Sequence, residues 1–572
     1  MSNNSSIVRF LKSPSGLLTL LLFVWWILNL AQGAFMELTD DEAYYWSWVF
    51  CRGTKGVGLE WGYFDHPPLV ALGIWLSSFL PGTLGVRFFA ILTQPLSLLI
   101  FWSLVKPSKP TYKDALTYAA ICFSMPALQL YGLLSLPDAY LLFSTALFLW
   151  MFNRIERLWT YAIGLGIAIA LLGYSKYHGA LVVLFVFLAN PKCLKSKNLY
   201  ASLFIALLLY LPHLHWQYTH GWPSFEYHLM ERNRGFEWRD IFTYILSFLL
   251  IFNPFFDYHF FQGLRKEKDD PYRDEEENMI CIPATNRWMT IGFFLFFALS
   301  SLRGHVQAQW VLPVAFALVW TLFNYTQSNE KAQRFVQRTA AASIVLFVLV
   351  RIVIIWNPFD FKGEIWNNKE DYTSLATLAD GRPVLFTHNY TASAKYTFYT
   401  GQPAYTSAVY WNRESQWQYS DLDDTFLGKN ILVSDGNRND AKVLPLPSSE
   451  KFFYQEISDY HPLRRLEIVA QRIADSDFIT YKMSILNPYP YDILPDTTRP
   501  IRIIMHYYIS QNVQPWTAVP LTDTLKALTT TEVLCRFTQR KDIPADLQPK
   551  GFAIGYNSFC PGENLKQLTI DN

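Results

Sequence analysis

Residues 37–50 read ELTDDEAYYWSWVF, and residues 62–69 read GYFDHPPL. The first stretch follows closely on the apolar run Leu17–Ala31, LLTLLLFVWWILNLA. Asp40, Asp41 and Glu42 open a helix-like segment behind Thr39, a residue type that caps helix N-termini. Carboxylates suit that position because the helix dipole is positive there. Capping accounts for one or two of these acids and leaves the rest unexplained. Tyr44, Tyr45, Trp46 and Trp48 follow, a ring set suited to a membrane interface or to stacking on a sugar. Asp65, His66 and the pair Pro67-Pro68 then lead into the next apolar run. Ionisable groups at such depth mark a functional site.

Outward from this loop, the chain divides by composition. Of 572 residues 51% are hydrophobic and 17% aromatic, but the apolar runs stop near Trp356, and Asn357–Asn572 has soluble composition. A net charge of +1 argues against a nucleic-acid binder, since it supplies no phosphate-tracking field. Arg9 and Lys12 precede Leu17–Ala31, the pattern of a signal peptide, but the bulky Trp25-Trp26 pair and the later runs favour an uncleaved helix. The same charges predict a cytoplasmic N-terminus and an outer loop over 34–66. Further apolar segments lie near 67–80, 83–104, 113–131, 136–152, 159–173, 177–190, 199–214, 241–257, 287–302, 306–324 and 339–356. The short ones read as tilted or re-entrant helices. Basic clusters at 106–113, 154–157, 192–197, 265–273 and 331–338 mark cytoplasmic loops. Twelve segments conflict with a tail outside the cytoplasm, which needs an odd number. The conflict sits between Pro67 and Lys106: one segment there does not cross, or one basic loop is on the other side.

The expected fold class is an α-helical integral membrane protein with about 11–13 spans and a C-terminal extracytoplasmic α/β domain. Residues 1–356 form the membrane domain, 357–440 an α/β module and 441–572 a β-rich region. Within the module, PVLFT (383–387) and NILVS (430–434) read as buried strands around a helix at 391–399. Residues 478–485 and 501–509 alternate as strands do. The tail carries no catalytic signature and reads as a lid or docking module. RKEKDDPYRDEEEN (265–278) reads as a solvated loop. Cys535 and Cys560 are either a disulfide or two free thiols.

A carboxylate at the membrane face can take a proton from an attacking hydroxyl. If the donor is a lipid-phosphate sugar, the departing phosphate needs cations in a low-dielectric site. Lys176 in GYSKYHG, Arg232 and Arg234 in MERNRGF, and Arg303 in SLRGH are placed to supply them, each also readable as a snorkelling anchor. Asp138 reads as a helix cap or a substrate contact, and Glu226 and His228 as cavity lining or solvated loop.

DEAYYW (41–46), GYFDHPP (62–68), Pro137-Asp138, GYSKY (173–177) and GWPSF (221–225) together resemble the polyprenyl-phosphate-sugar-dependent glycosyltransferases of the GT-C fold. The nearest group holds the lipid A aminoarabinose transferase, the related galacturonosyl and galactosamine transferases, and the protein O-mannosyltransferases. The likeness is strongest over 35–240 and continues to about 440 through NYTASAKYTFYTG (389–401). It implies an inverting transfer with Asp41 as base and Asp40 and Glu42 beside it. It also implies donor-phosphate or metal contacts from Asp65 and His66 and a sugar or acceptor contact from Asp138; Lys176, Arg232, Arg234 and Arg303, by their charge, and Tyr44 and Tyr45, by their rings, complete the expected substrate contacts. DHPP stands here where the aminoarabinose enzymes resemble E-K-P-P. A histidine is a full cation only below its pKa, so phosphate contact at His66 is pH-tunable or passes to Lys176 and the arginines.

No cofactor is demanded; a divalent ion on Asp65 and His66, with His213 or His215 of HLHW, is the one these residues allow. Expected partners are a polyprenyl-phosphate-linked sugar, a lipid or glycolipid acceptor and membrane lipids, with no nucleic acid. The expected setting is a bacterial inner membrane, site and tail facing the periplasm. The expected acceptor is lipid A or another envelope glycolipid, with protein O-glycosylation as the alternative. A different class, a non-catalytic envelope assembly or transport protein, also fits a membrane chain with a soluble tail. A transporter would place acids mid-helix in related halves, and no half-to-half similarity is visible.

Overall fold

The computed structural model describes residues 10, 12–228, 235–266, 279–387, 389–407, 414–434, 441–473, 478–496, 500–507, 515–538, 543–544, 547–556 and 566–567. It forms two compact units, one of Met1–Met36 with Leu59–Phe361, the other of Glu37–Gly58 with Lys362–Asn572.

The first unit is helical. Its opening helix α1 (Pro14–Phe35) starts with proline behind Ser13, whose side chain accepts from the Gly16 amide at 3.1 Å. Four helices are long and apolar enough to cross a membrane: α1, Leu84–Val105, Lys197–Thr219 and Glu330–Trp356. Trp238–Leu250 and Pro254–Lys266 pass the same test only together and are bent by 75°, the shape of a broken span or of a re-entrant loop. Among the described residues the other apolar helices are shorter, such as Pro137–Phe152, Trp159–Ser175 and Gly179–Ala189. Among the described residues, four or five helical segments are long and apolar enough to cross, fewer than the expected 11–13 spans, and the rest of the apolar runs fold as shorter helices. Short helices survive there because neighbouring protein covers their backbone ends.

Segment 67–80 folds as Leu69–Ser77, nine residues long. That is about 14 Å of helix against a hydrocarbon core of about 30 Å. It is too short to cross alone, the first of the two alternatives for the stretch between Pro67 and Lys106.

Among its described residues the second unit contains three sheets. Strands β1 (Val384–Thr387), β2 (Ala404–Ser407), β3 (Ile431–Ser434), β4 (Lys442–Pro445) and β5 (Lys451–Ile457) form one, in the order β2-β1-β3-β5-β4. β1 is parallel to both β2 and β3, while β5 is antiparallel to β3 and β4. The strands read from PVLFT and NILVS are present, and the helix between them spans Tyr390–Thr400. The sheet passes the expected boundary at 440, because β4 and β5 complete it. Beyond it, β6 (Glu467–Ile473), β7 (Ile479–Leu486) and β10 (Thr530–Phe537) make a three-stranded sheet, order β10-β7-β6. β8 (Ile501–His506), β9 (Trp516–Pro520), β11 (Gly551–Tyr556) and β12 (Lys566–Gln567) make a four-stranded one. Cys535 is a buried free thiol, and Cys560 lies outside the described residues.

One boundary differs from the composition-based division in a way that matters for function. The acidic loop segment 37–58 belongs to the second unit and not to the membrane helices. Its helix α2 (Asp40–Phe50) lays aromatic rings on α3 (Tyr390–Thr400): Tyr44 meets Tyr390 at 4.6 Å and Trp46 meets Phe398 at 5.2 Å between centroids. Aromatic burial of this kind dominates packing energetics, so the loop follows its rings.

Candidate active site

The three acids of α2 have three different surroundings. Glu42 is fully buried and its carboxylate accepts from both the amide and the hydroxyl of Thr39, each at 3.1 Å; Thr39 in return accepts from the Glu42 amide. This is a capping box, so Glu42 holds the helix start and is not placed for proton transfer. Asp40 pairs with Lys395 on α3 at 2.5 Å, and its amide donates to the Glu364 carboxylate at 2.8 Å. Asp41 alone of the three is exposed.

The surrounding segment is fastened within the same unit. Glu37 accepts from the Asn368 amide at 2.8 Å and side chain at 2.9 Å, and the Leu38 amide donates to the Tyr399 hydroxyl at 2.9 Å. Tyr44 and Tyr45, expected to touch substrate, are 2% and 5% exposed. Tyr44 Oη accepts from the Gln416 amide at 2.8 Å, and Tyr45 packs its ring on Trp48 at 4.8 Å. Both are packing residues.

In the helical unit, the GYFDHPP segment is joined to two other motifs. The His213 Nδ1 faces the Trp61 carbonyl at 2.8 Å and so carries the proton; Nε2 is then the acceptor for Tyr177 Oη at 3.3 Å. Gln217 donates to that same Tyr177 oxygen at 3.2 Å and to Ser224 Oγ at 2.7 Å. Ser224 Oγ in turn donates to the Tyr63 carbonyl at 3.0 Å, and Trp216 Nε1 donates to Glu60 at 3.0 Å. Gly62 lies flat against Trp216, where an added Cβ would stand 2.4 Å from the ring. GYFDHPP, GYSKY and GWPSF are thus brought together by His213, Trp216 and Gln217 of Lys197–Thr219.

Asp65 is buried, and its carbonyl accepts from His228 Nε2 at 2.8 Å; the His66 and His228 rings lie 6.0 Å apart. Lys176 and Asp138 are both buried and form a two-pronged ion pair, 2.8 and 3.0 Å. Lys176 is therefore already neutralised by Asp138, contrary to its expected role as a spare phosphate cation. Arg303 is exposed, and Arg232 and Arg234 lie outside the described residues.

The expected metal set does not fit. Both His213 nitrogens are engaged, and His215, two residues on, is exposed on another face of the helix. Among the described residues no three His, Cys, Asp or Glu side chains cluster as ligands.

His66, Lys176, His228 and Arg303 line one cavity of about 860 Å³. His178 and His305 line it as well, while the remaining wall is largely apolar, with Leu172, Leu203, Leu207 and Phe297. Among the described residues its lining holds no carboxylate. Sequence reading missed His178, His305 and Gln217. Gln217 carried a signal, being four residues after His213 and so on the same helix face.

A family model described as dolichyl-phosphate-mannose-protein mannosyltransferase matches residues 65–216, which include Asp65, His66, Asp138, Lys176 and His213. A sequence search of curated proteins gives no match. Among solved structures, the chain is similar to ArnT from Cupriavidus metallidurans in its apo state, with TM-score 0.54 and 10% identity over 77% of this chain and 98% of that one. The same enzyme bound to undecaprenyl phosphate matches with TM-score 0.52 and 13% identity, over the same shares. The chain has the GT-C glycosyltransferase fold.

Proposed function

We propose that the protein moves a monosaccharide from a polyprenyl-phosphate donor to an extracytoplasmic acceptor with inversion. The observation that carries this reading is the apolar cavity whose lining, among the described residues, holds histidines, Lys176 and Arg303 but no carboxylate. An amphiphile with an anionic head and a hydrocarbon tail is the ligand such a wall suits. The undecaprenyl phosphate bound by the similar ArnT has that chemistry.

In the proposed reaction the acceptor oxygen attacks the anomeric carbon. The bond from that carbon to the phosphate oxygen breaks, and polyprenyl phosphate leaves with the electron pair. Asp41 takes the acceptor proton, the role for which its exposure, beside a capping Glu42 and a paired Asp40, suits it. His66, His228 and Arg303 offset the charge developing on the leaving phosphate.

The proposed acceptor is lipid A or another envelope glycolipid, and the proposed setting is a bacterial inner membrane with the site facing the periplasm. The match to a protein mannosyltransferase family model favours a second reading, transfer to a protein hydroxyl. Mass spectrometry of envelope lipids from cells with wild-type protein, no protein or Asp41→Asn at matched expression tests both. A lipid heavier by one sugar only with wild type supports the first. Unchanged lipids with a glycosylated envelope protein replace it by the second. Full transfer by Asp41→Asn overturns the role of Asp41, and no sugar shift in either pool overturns the transferase reading.

A further inference from the structure

Arg351 stands in the last span, Glu330–Trp356, an apolar helix whose outer face is bare: Leu349, Val350 and Ile352 are all exposed. Its side chain does not run along the helix toward water. It turns sideways onto α1 and the short helix Pro126–Tyr131, donating to Gln32 Oε1 at 2.7 Å, Asn29 Oδ1 at 2.8 Å and Gln129 Oε1 at 2.7 Å.

Every one of these partners is a neutral amide oxygen. The amides are held from behind: Asn29 Nδ2 donates to Gln94 Oε1 and the Gly132 carbonyl, and Gln129 Nε2 to the Phe123 carbonyl. Two of the three oxygens are thus fixed toward the guanidinium. They offset part of its desolvation but leave its full positive charge. A guanidinium has five N–H donors, and these bonds use three. The remaining two, on Nε and Nη1, lie on different edges, so each can give one charge-assisted bond to an anion rather than a two-pronged grip.

The depth also suits a lipid headgroup. Arg351 is five residues before the helix end at Trp356, about 7.5 Å along the axis, and Gln32 is three residues before the end of α1. Two apolar helices joined there place the half-buried charge near their ends, beside the exposed Leu349, Val350 and Ile352.

We propose that Arg351, framed by Asn29, Gln32 and Gln129, is a binding site for the phosphate of an anionic membrane lipid, separate from the cavity at His66 and Arg303. The lipid completes the charge balance of the joint between the first and last spans. This does not depend on glycosyl transfer and is read without it.

The test is native mass spectrometry of the purified full chain, titrated with phosphatidylglycerol, phosphatidylcholine or inorganic phosphate. Wild type retains phosphatidylglycerol at least fivefold more than phosphatidylcholine. Arg351→Gln loses that preference, and Arg351→Lys, which keeps the charge but not the three-amide frame, retains part of it. Equal retention of the two lipids by wild type overturns the proposal, whether or not the variants fold. So does unchanged preference in a folded Arg351→Gln. Retention of inorganic phosphate without lipid preference overturns the lipid assignment.

Discussion

Lys395 Nζ lies 2.5 Å from Asp40 Oδ1, in a unit where Lys395 is almost fully buried and Asp40 is half exposed. The same ammonium donates to the Glu364 carbonyl at 2.8 Å and to Asn368 Oδ1 at 3.3 Å. The acidic helix is therefore anchored on a lysine from the NYTASAKYTFYTG segment of the tail. The two ends of this pair are unequal. Asp40→Asn leaves a buried ammonium with neutral acceptors only, a loss of about 3 kcal/mol. Lys395→Met leaves a carboxylate that water can reach, a loss of about 1–2 kcal/mol. Thermal unfolding of the full chain in detergent should rank Asp40→Asn as the less stable; the reverse order would remove the anchor.

Asp41 and Glu42 are adjacent and should respond in opposite ways. Asp41→Asn keeps the unfolding temperature and lowers transfer by about 10²–10⁴-fold, the range for a lost general base. Glu42→Gln weakens the capping box, costing about 1 kcal/mol, and changes the rate far less. Parallel unfolding and transfer assays on the two variants check this. Equal rate losses would mean that Asp41 is not distinct from its neighbour.

Much of this was legible in the sequence for local reasons. Thr39 with Glu42 three residues later is a pattern readable from spacing alone, as were the strands at 383–387 and 430–434. The apolar runs located the helices, though not which of them cross: Leu69–Ser77 is as apolar as a span and simply too short. What was not legible was long-range pairing. Nothing in residues 37–58 says that their rings pack on Tyr390 and Phe398 rather than on the membrane helices. Likewise Lys176 reads as a free cation until the fold brings Asp138 against it.

That pair makes its own prediction. Both partners are buried, so Asp138→Asn or Lys176→Met alone strands a charge and costs about 3–5 kcal/mol. The double variant strands none and should recover most of the loss. A double-mutant cycle by thermal unfolding measures the coupling. If the single losses simply add, Lys176 has another partner for its charge and its role as a phosphate contact returns.

Gly62 tests the join between GYFDHPP and Lys197–Thr219. Gly62→Ala puts a methyl into the Trp216 ring, which overpacks the contact by about 1–3 kcal/mol. The strain falls on the strip from Glu60 to His66, so transfer should fall more than global stability does. Combining Gly62→Ala with Trp216→Leu makes room for the methyl and should restore part of the transfer, although it gives up the bond to Glu60. Transfer assays on the single and double variants decide; a double variant as slow as Gly62→Ala would mean the ring is not the obstacle.

Asp423 gives the second unit a pH dependence with a defined sign. Burial pushes its carboxyl up to about 6, against an ordinary value of 3.8, although Arg464 and a 2.8 Å bond from Tyr460 Oη favour the ionised form and Asp424 opposes it. Between pH 3.8 and about 6 the folded chain keeps a proton that the unfolded chain has released. Wild type therefore loses stability from this group as pH rises through that window. At about 1.4 kcal/mol per pKa unit the full loss is about 3 kcal/mol above pH 6. Asp423→Asn carries no such titration. Its lost contacts add an offset, but its stability relative to wild type should climb from pH 4 to pH 7. Thermal unfolding of both chains across that range measures the difference, and a flat difference would show that Asp423 is ionised at its ordinary pKa in the folded protein.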